Sequence, residues 1–135
     1  MKSALLISIH PEYVDKILSG QKMFEYRRRR PKADISHLVI YATSPIKRIV
    51  AIAEVETVIS CSPSSLWEKT KYAAGISRSA FRVYFHGRDI GNAFKLGRVC
   101  RIDSATSSQL IFTPPQSFAY LPQDSFEMLI RKVSS

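Results

Sequence analysis

The chain has 135 residues, the usual span of one domain and enough to bury a real core. Its 45% hydrophobic content and mean hydropathy of -0.07 exclude a disordered tail, and no apolar run is long enough to cross a bilayer. Twenty Lys and Arg against eleven Asp and Glu give +9 and a pI near 9.8, an excess that speaks about partners, phosphates first among them, and not about fold.

Ala4 to Ile9 is short, aliphatic and bounded by His10-Pro11, which predicts a buried strand. Pro11 suits a first helical turn, Val14, Ile17 and Leu18 recur at helical spacing, and Gly20 supplies the left-handed stop. From Met23 to Arg29 the pattern alternates: Phe24 and Tyr26 point one way, Met23, Glu25 and Arg27 the other. Leu38 to Ala42 is a second strong strand, ended by Thr43-Ser44-Pro45, and Arg48 to Ile59 is a long β-branched run. Ser62-Pro63-Ser64 opens a helix carrying Leu66 and Trp67, and Ser77 opens another that Gly87 ends. Ala93–Leu96 and Val99–Ile102 read as two strands, Ser104–Ser108 as loop, and Pro114–Pro122 as extended or turn-like. The tail from Asp124 to Lys132 suits helix or strand. The expectation is one α+β domain over residues 1–135, a mixed, partly closed barrel of five or six strands flanked by short helices.

Two cysteines, Cys61 and Cys100, show neither a CxxC nor metal-ligand spacing, so a reducing cytoplasm is expected, with no metal and no cofactor. Met1-Lys2-Ser3 and the aliphatics after it mimic a signal peptide but meet His10-Pro11-Glu12 without a cleavage site. Nucleotide-binding glycine motifs, HExxH and GxSxG are absent.

The chemistry concentrates in Lys22–Pro31, where a lysine, a carboxylate and four consecutive arginines are interleaved with aromatics. It is either a solvated face or a surface for a polyanion or a flat aromatic ligand. Lys22, at a helix–strand junction, is a base or nucleophile if desolvated and a cationic clamp if Glu25 holds it charged. Glu54 is a second candidate acid, partly buried, or else the ion-pair partner of an arginine from 27–30. Tyr41 and Ser44 end a core strand where side chains often border a pocket, or Tyr41 is simply a core tyrosine. On the proline-stiffened segment, Gln116, Ser117, Phe118 and Tyr120 suit reading a base edge or plugging a barrel end.

Leu6 to Lys22 resembles the opening of ASCH domains, and Gly20-Gln21-Lys22-Met23-Phe24-Glu25-Tyr26-Arg27 matches their G-x-K-x-x-E-x-R signature. The likeness continues through Ile40–Pro45, Leu66-Trp67-Glu68, Gly75-Ile76-Ser77, Phe81–Phe85 and Pro114–Leu121. It implies a PUA-like β-barrel with a cleft between the first helix and the barrel, binding RNA or a nucleotide-like ligand, and a link to translation or transcription. The expected cleft lining is Lys22, Glu25, Arg27, Tyr41, Ser44, Ser117 and Tyr120, with Arg28, Arg29, Arg30 and Lys47 meeting phosphate. Some relatives are enzymes, either an amidohydrolase on acetylated cytidine or a ribonuclease, for which Lys22 with Glu25 or Glu54 would serve. The hydrolase's threonine position is Glu25 here, Ser77–Ser79 offers no match to its glutamate, and His10 stands where relatives carry lysine. The oligomeric state is left open.

Overall fold

The computed structural model describes residues 2–108 and 112–134. β1 (Ser3–Ile9) is aliphatic along its length because both faces are covered: Leu5, Ile7 and Ile9 enter one core, Ala4 and Leu6 another. It pairs parallel with β3 (Ile35–Ala42), and α1 (Pro11–Ser19) follows it, closing onto the first core through Val14 and Ile17. Gly20, at φ 85°, ends α1 with its N–H on the Ile17 carbonyl and turns the chain into β2 (Phe24–Arg27).

β4 (Arg48–Cys61) pairs antiparallel with β3 on one side and β5 (Gly91–Arg101) on the other. The six-stranded sheet runs β2-β5-β4-β3-β1-β6, with β6 (Phe118–Tyr120) antiparallel to β1. The β4–β5 register shifts between Ala53 and Val55 and again between Val55 and Thr57. Such irregularities bend a strand and increase its twist. The sheet curls into a half-barrel, and its β2 end comes back within side-chain reach of β1.

Three apolar clusters form among the described residues. The first lies inside the curl under α1. The second is covered by α5 (Gln123–Ser134), whose Phe126 and Leu129 pack on Leu6, Val39 and Ile52. The third gathers Phe24 and Tyr26 with Leu66 of α2 (Pro63–Thr70) and with Phe81 and Phe85, which α3 (Arg78–Tyr84) carries or leads into. Tyr26 meets Phe81 edge-on at 5.0 Å, a geometry aromatic pairs favour. The alternation in β2 therefore sends its aromatics toward the helices and leaves Glu25 and Arg27 facing the gap toward β1.

Some sequence expectations change. The two strands around Gly97 are one continuous β5, since the shifted register lets the glycine pass close to Glu54 and Glu56. Ser104–Ser107 forms a helical turn, α4, because Asp103 caps it by accepting the Thr106 N–H. The tail is helix. Among the described residues, no helix is long and apolar enough to cross a membrane.

Candidate functional site: a cleft between the first helix and α3

The turn after Gly20 fixes Lys22 by a backbone bond from its N–H to the Lys16 carbonyl, 3.0 Å. Its side chain then runs inward, 3% exposed as a residue, and the ammonium donates to the Ala74 carbonyl at 2.7 Å. The rings of Tyr26 and Tyr13 lie 4.7 and 5.5 Å from Nζ, and Glu25 Oε1 lies 3.9 Å away. Burial pushes the lysine down from 10.5 to about 8; the Glu25 carboxylate opposes this, and the Lys16 and Arg27 charges add to it. Gly75 makes the arrangement possible. It sits at φ 71°, and a Cβ there would lie 2.4 Å from Lys22 Cβ, so the lysine stem lies flat on bare backbone.

Glu25 is equally buried, and its Oε2 accepts from Arg27 Nη2 at 2.6 Å and from Nε at 3.2 Å. The remaining Arg27 donors reach across the gap: Nη2 to the Ser8 carbonyl at 2.8 Å and Nη1 to Ser117 Oγ at 3.0 Å. Arg27 is thus a clamp joining β2 to β1 and to the segment before β6. A guanidinium suits that role because its planar fork serves several acceptors at once.

Above this floor opens a cleft of about 640 Å³. Tyr13 and His10 form the α1 side, Ile76, Ser79, Ala80, Val83 and Tyr84 the opposite wall, and Thr43 and Gln116 the rim. His10 Nδ1 and Thr43 Oγ1 share a hydrogen bond of 3.2 Å. Arg28 lines the mouth, stacked on the Tyr84 ring at 4.2 Å with Nε donating to the Tyr84 carbonyl at 2.8 Å. Tyr26 stays a phenol: burial pushes it up to about 12, and its hydroxyl donates to Thr70 Oγ1 at 2.7 Å. Burial also raises Tyr13 and Tyr84.

The structure brings Lys22, Glu25, Arg27 and Arg28 together and leaves other expected lining residues elsewhere. Tyr41 is buried on the α5 side of the sheet, edge-on to Phe112 at 5.5 Å. Ser44 is exposed in the β3–β4 turn, where it precedes a cis proline, and Lys47 in the same turn is exposed at φ 54°. Ser117 holds Arg27 and does not line the open volume. Tyr120 lies outside the cleft, its hydroxyl accepting the Lys32 and Ala33 N–H groups at 2.8 and 3.1 Å. Glu54 is exposed and accepts the Arg98 N–H at 3.2 Å, so it is neither a partly buried acid nor a partner of the 27–30 arginines. Arg29 and Arg30 are exposed beyond the mouth, Arg30 donating to Ser60 Oγ at 2.8 Å. Sequence reasoning missed Tyr13, Thr43, Ser79, Val83 and Tyr84; Ser77 and Gly87 bound the helix without saying which of its faces borders a cavity. Among the described residues, no group of three or more His, Cys, Asp or Glu side chains could hold a metal ion.

Comparison with known proteins follows the same outline. The ASCH domain family model matches residues 7–104. A protein of Zymomonas mobilis subsp. mobilis named ASCH domain-containing ribonuclease is 32% identical over 135 residues, 96% of this chain and 91% of that one. The large ribosomal subunit protein uL22 of Ureaplasma parvum serovar 3 is 25% identical over 120 residues, 87% of this chain but 39% of the longer relative. The crystal structure of ASCH from Zymomonas mobilis superposes with a TM-score of 0.80 at 30% identity, covering 96% of this chain and 94% of that one. The G-x-K-x-x-E-x-R segment, the curled six-stranded sheet and these likenesses agree: the chain belongs to the ASCH domain family.

Proposed function

We propose that the protein binds single-stranded RNA, taking a nucleotide into the cleft while the arginines at its mouth hold the flanking phosphates. One observation carries this reading. The cleft is lined by aromatic rings from both sides, has a buried Lys22–Glu25 pair at its floor and Arg28 at its mouth. Rings offer stacking to any base, the floor offers both donor and acceptor to a base edge, and the cation run serves phosphate. The relationship to a protein named ribonuclease supports RNA as the ligand class. The test is binding of a labelled RNA oligonucleotide across salt concentrations. Three phosphate contacts from Arg28, Arg29 and Arg30 give a logarithmic salt slope of about -2, hence roughly twentyfold weaker binding at 200 than at 50 mM salt. Binding indifferent to salt would overturn the proposal.

A second reading, RNA cleavage, is favoured by the near full-length likeness to that ribonuclease. Lys22, pushed down to about 8, is partly neutral near physiological pH and suits a base that takes the 2′-hydroxyl proton as that oxygen bonds to the adjacent phosphorus and the P–O5′ bond breaks, the leaving 5′-oxygen taking its proton from water. Glu25 then holds the resulting ammonium. Under this reading, cleavage of a labelled RNA rises with pH through about 8 and Lys22→Ala abolishes it. Full turnover by the alanine variant would remove Lys22 from the chemistry.

A further inference from the structure

Helix α3 has two working faces. Ser79, Ala80, Val83 and Tyr84 border the cleft, whereas Arg78, Phe81, Arg82 and Phe85 border a second cavity of about 310 Å³ against α2. Positions 78, 81, 82 and 85 form one helical stripe, so this short helix is a partition between two cavities. Within the second, Phe81 and Phe85 are almost fully buried, and the ring left partly open is that of Trp67, 5.0 Å from Phe81. Arg78 and Arg82 are exposed at its mouth. A single carboxylate, Glu68, shares the mouth and is ion-paired with Lys71 at 2.7 Å, which leaves the local balance cationic.

We infer that this slot is a second nucleotide subsite: Trp67 stacks one base of a single-stranded RNA whose phosphates, led over α3 from the cleft, are met by Arg78 and Arg82. The inference rests on the RNA-binding reading above. An indole face beside two guanidinium forks is a sequence-tolerant platform for a base and its phosphate. The volume lies at the lower end for ligand pockets, enough for one flat ring system. A helix with its side chains is about 10–12 Å across, and stacked nucleotides advance about 3.4 Å each, so about three residues of RNA bridge the two sites. Short oligonucleotides therefore occupy one cavity at a time, and longer ones occupy both.

Trp67 is the chain's one tryptophan, so its emission reports this slot directly. Oligoadenylates of about three and about eight nucleotides, chosen from the ~3.4 Å spacing, are titrated by anisotropy of a terminal label and, in parallel, by Trp67 emission. The expected result is tighter binding of the longer RNA with quenching of Trp67. Arg78→Ser with Arg82→Ser, and separately Trp67→Leu, weaken the longer RNA about tenfold and leave the shorter unchanged. Because both arginines are exposed, their double variant keeps the test valid if Trp67→Leu fails to fold. Longer RNA that binds with Trp67 emission unchanged and full affinity for the arginine variant would overturn the second subsite while leaving the cleft reading intact. No anisotropy change with either RNA would overturn both.

Discussion

Replacing Arg27 by alanine removes four donor contacts from a place where water cannot replace them all: two to Glu25 and one each to Ser8 and Ser117. The side chains of Arg27 and Glu25 are only 11% and 8% exposed, so the variant strands a carboxylate in a desolvated site. Breaking a buried pair by removing one partner costs about 3–5 kcal/mol. Lys22, 3.9 Å from Glu25, compensates in part and places the expected loss near the lower figure, ~3 kcal/mol. At a urea slope of about 2 kcal/mol per molar, the unfolding midpoint should fall by roughly 1.5 M. Adding Glu25→Gln to Arg27→Ala removes the stranded charge and should recover part of that loss, a coupling of about 0.5–3 kcal/mol. A midpoint shift below about 0.5 M, with the two substitutions additive, would show Arg27 to be a solvated surface charge and refute the clamp.

Three further outcomes follow from the same geometry. Gly75→Ala sets a Cβ against the inner carbons of Lys22 at a positive φ; a loss of at least ~2 kcal/mol, or roughly 6–10 °C in Tm by calorimetry, is expected, and an unchanged Tm would contradict the close approach. The Lys22 pKa is about 8 in the fold against 10.5 when unfolded, so between these values the unfolded chain holds the extra proton and stability contributed by this site rises with pH. From pH 8 to 10, wild type should gain on the order of 2–3 kcal/mol relative to Lys22→Met in urea titrations, a comparison in which the raised Tyr26 is common to both proteins; a flat difference would place Lys22 in water. Thr70→Val leaves the Tyr26 hydroxyl buried without its acceptor and should cost about 1–3 kcal/mol, which a stability change below ~0.5 kcal/mol would contradict.

Much of the frame was legible because single residues carried unambiguous local meaning. Pro11 and Gly20 bound α1 by what their backbones permit, and the period of two through Phe24, Glu25, Tyr26 and Arg27 put the charges together on one side of β2. The cleft's floor was therefore readable from one segment. Its opposite wall was not, because the Lys22 ammonium finds its acceptor at Ala74, 52 residues away, and no local pattern encodes that approach. Tyr41 shows a related limit. β3 is buried on both faces, so its sequence does not alternate and cannot say which side of the sheet its tyrosine takes. Glu54 looked half-buried among β-branched neighbours, yet the shifted register near Gly97 leaves it exposed beside β5.

The central claim is that RNA enters this cleft, as opposed to adhering to a generally basic surface. Two charge reversals separate these cases with equal change in net charge: Arg28→Glu at the mouth and Arg98→Glu on β5, outside it. Measured by anisotropy with one labelled single-stranded RNA at fixed salt, the account predicts at least tenfold weaker binding for Arg28→Glu and less than about threefold for Arg98→Glu. Equal losses in the two variants would contradict it.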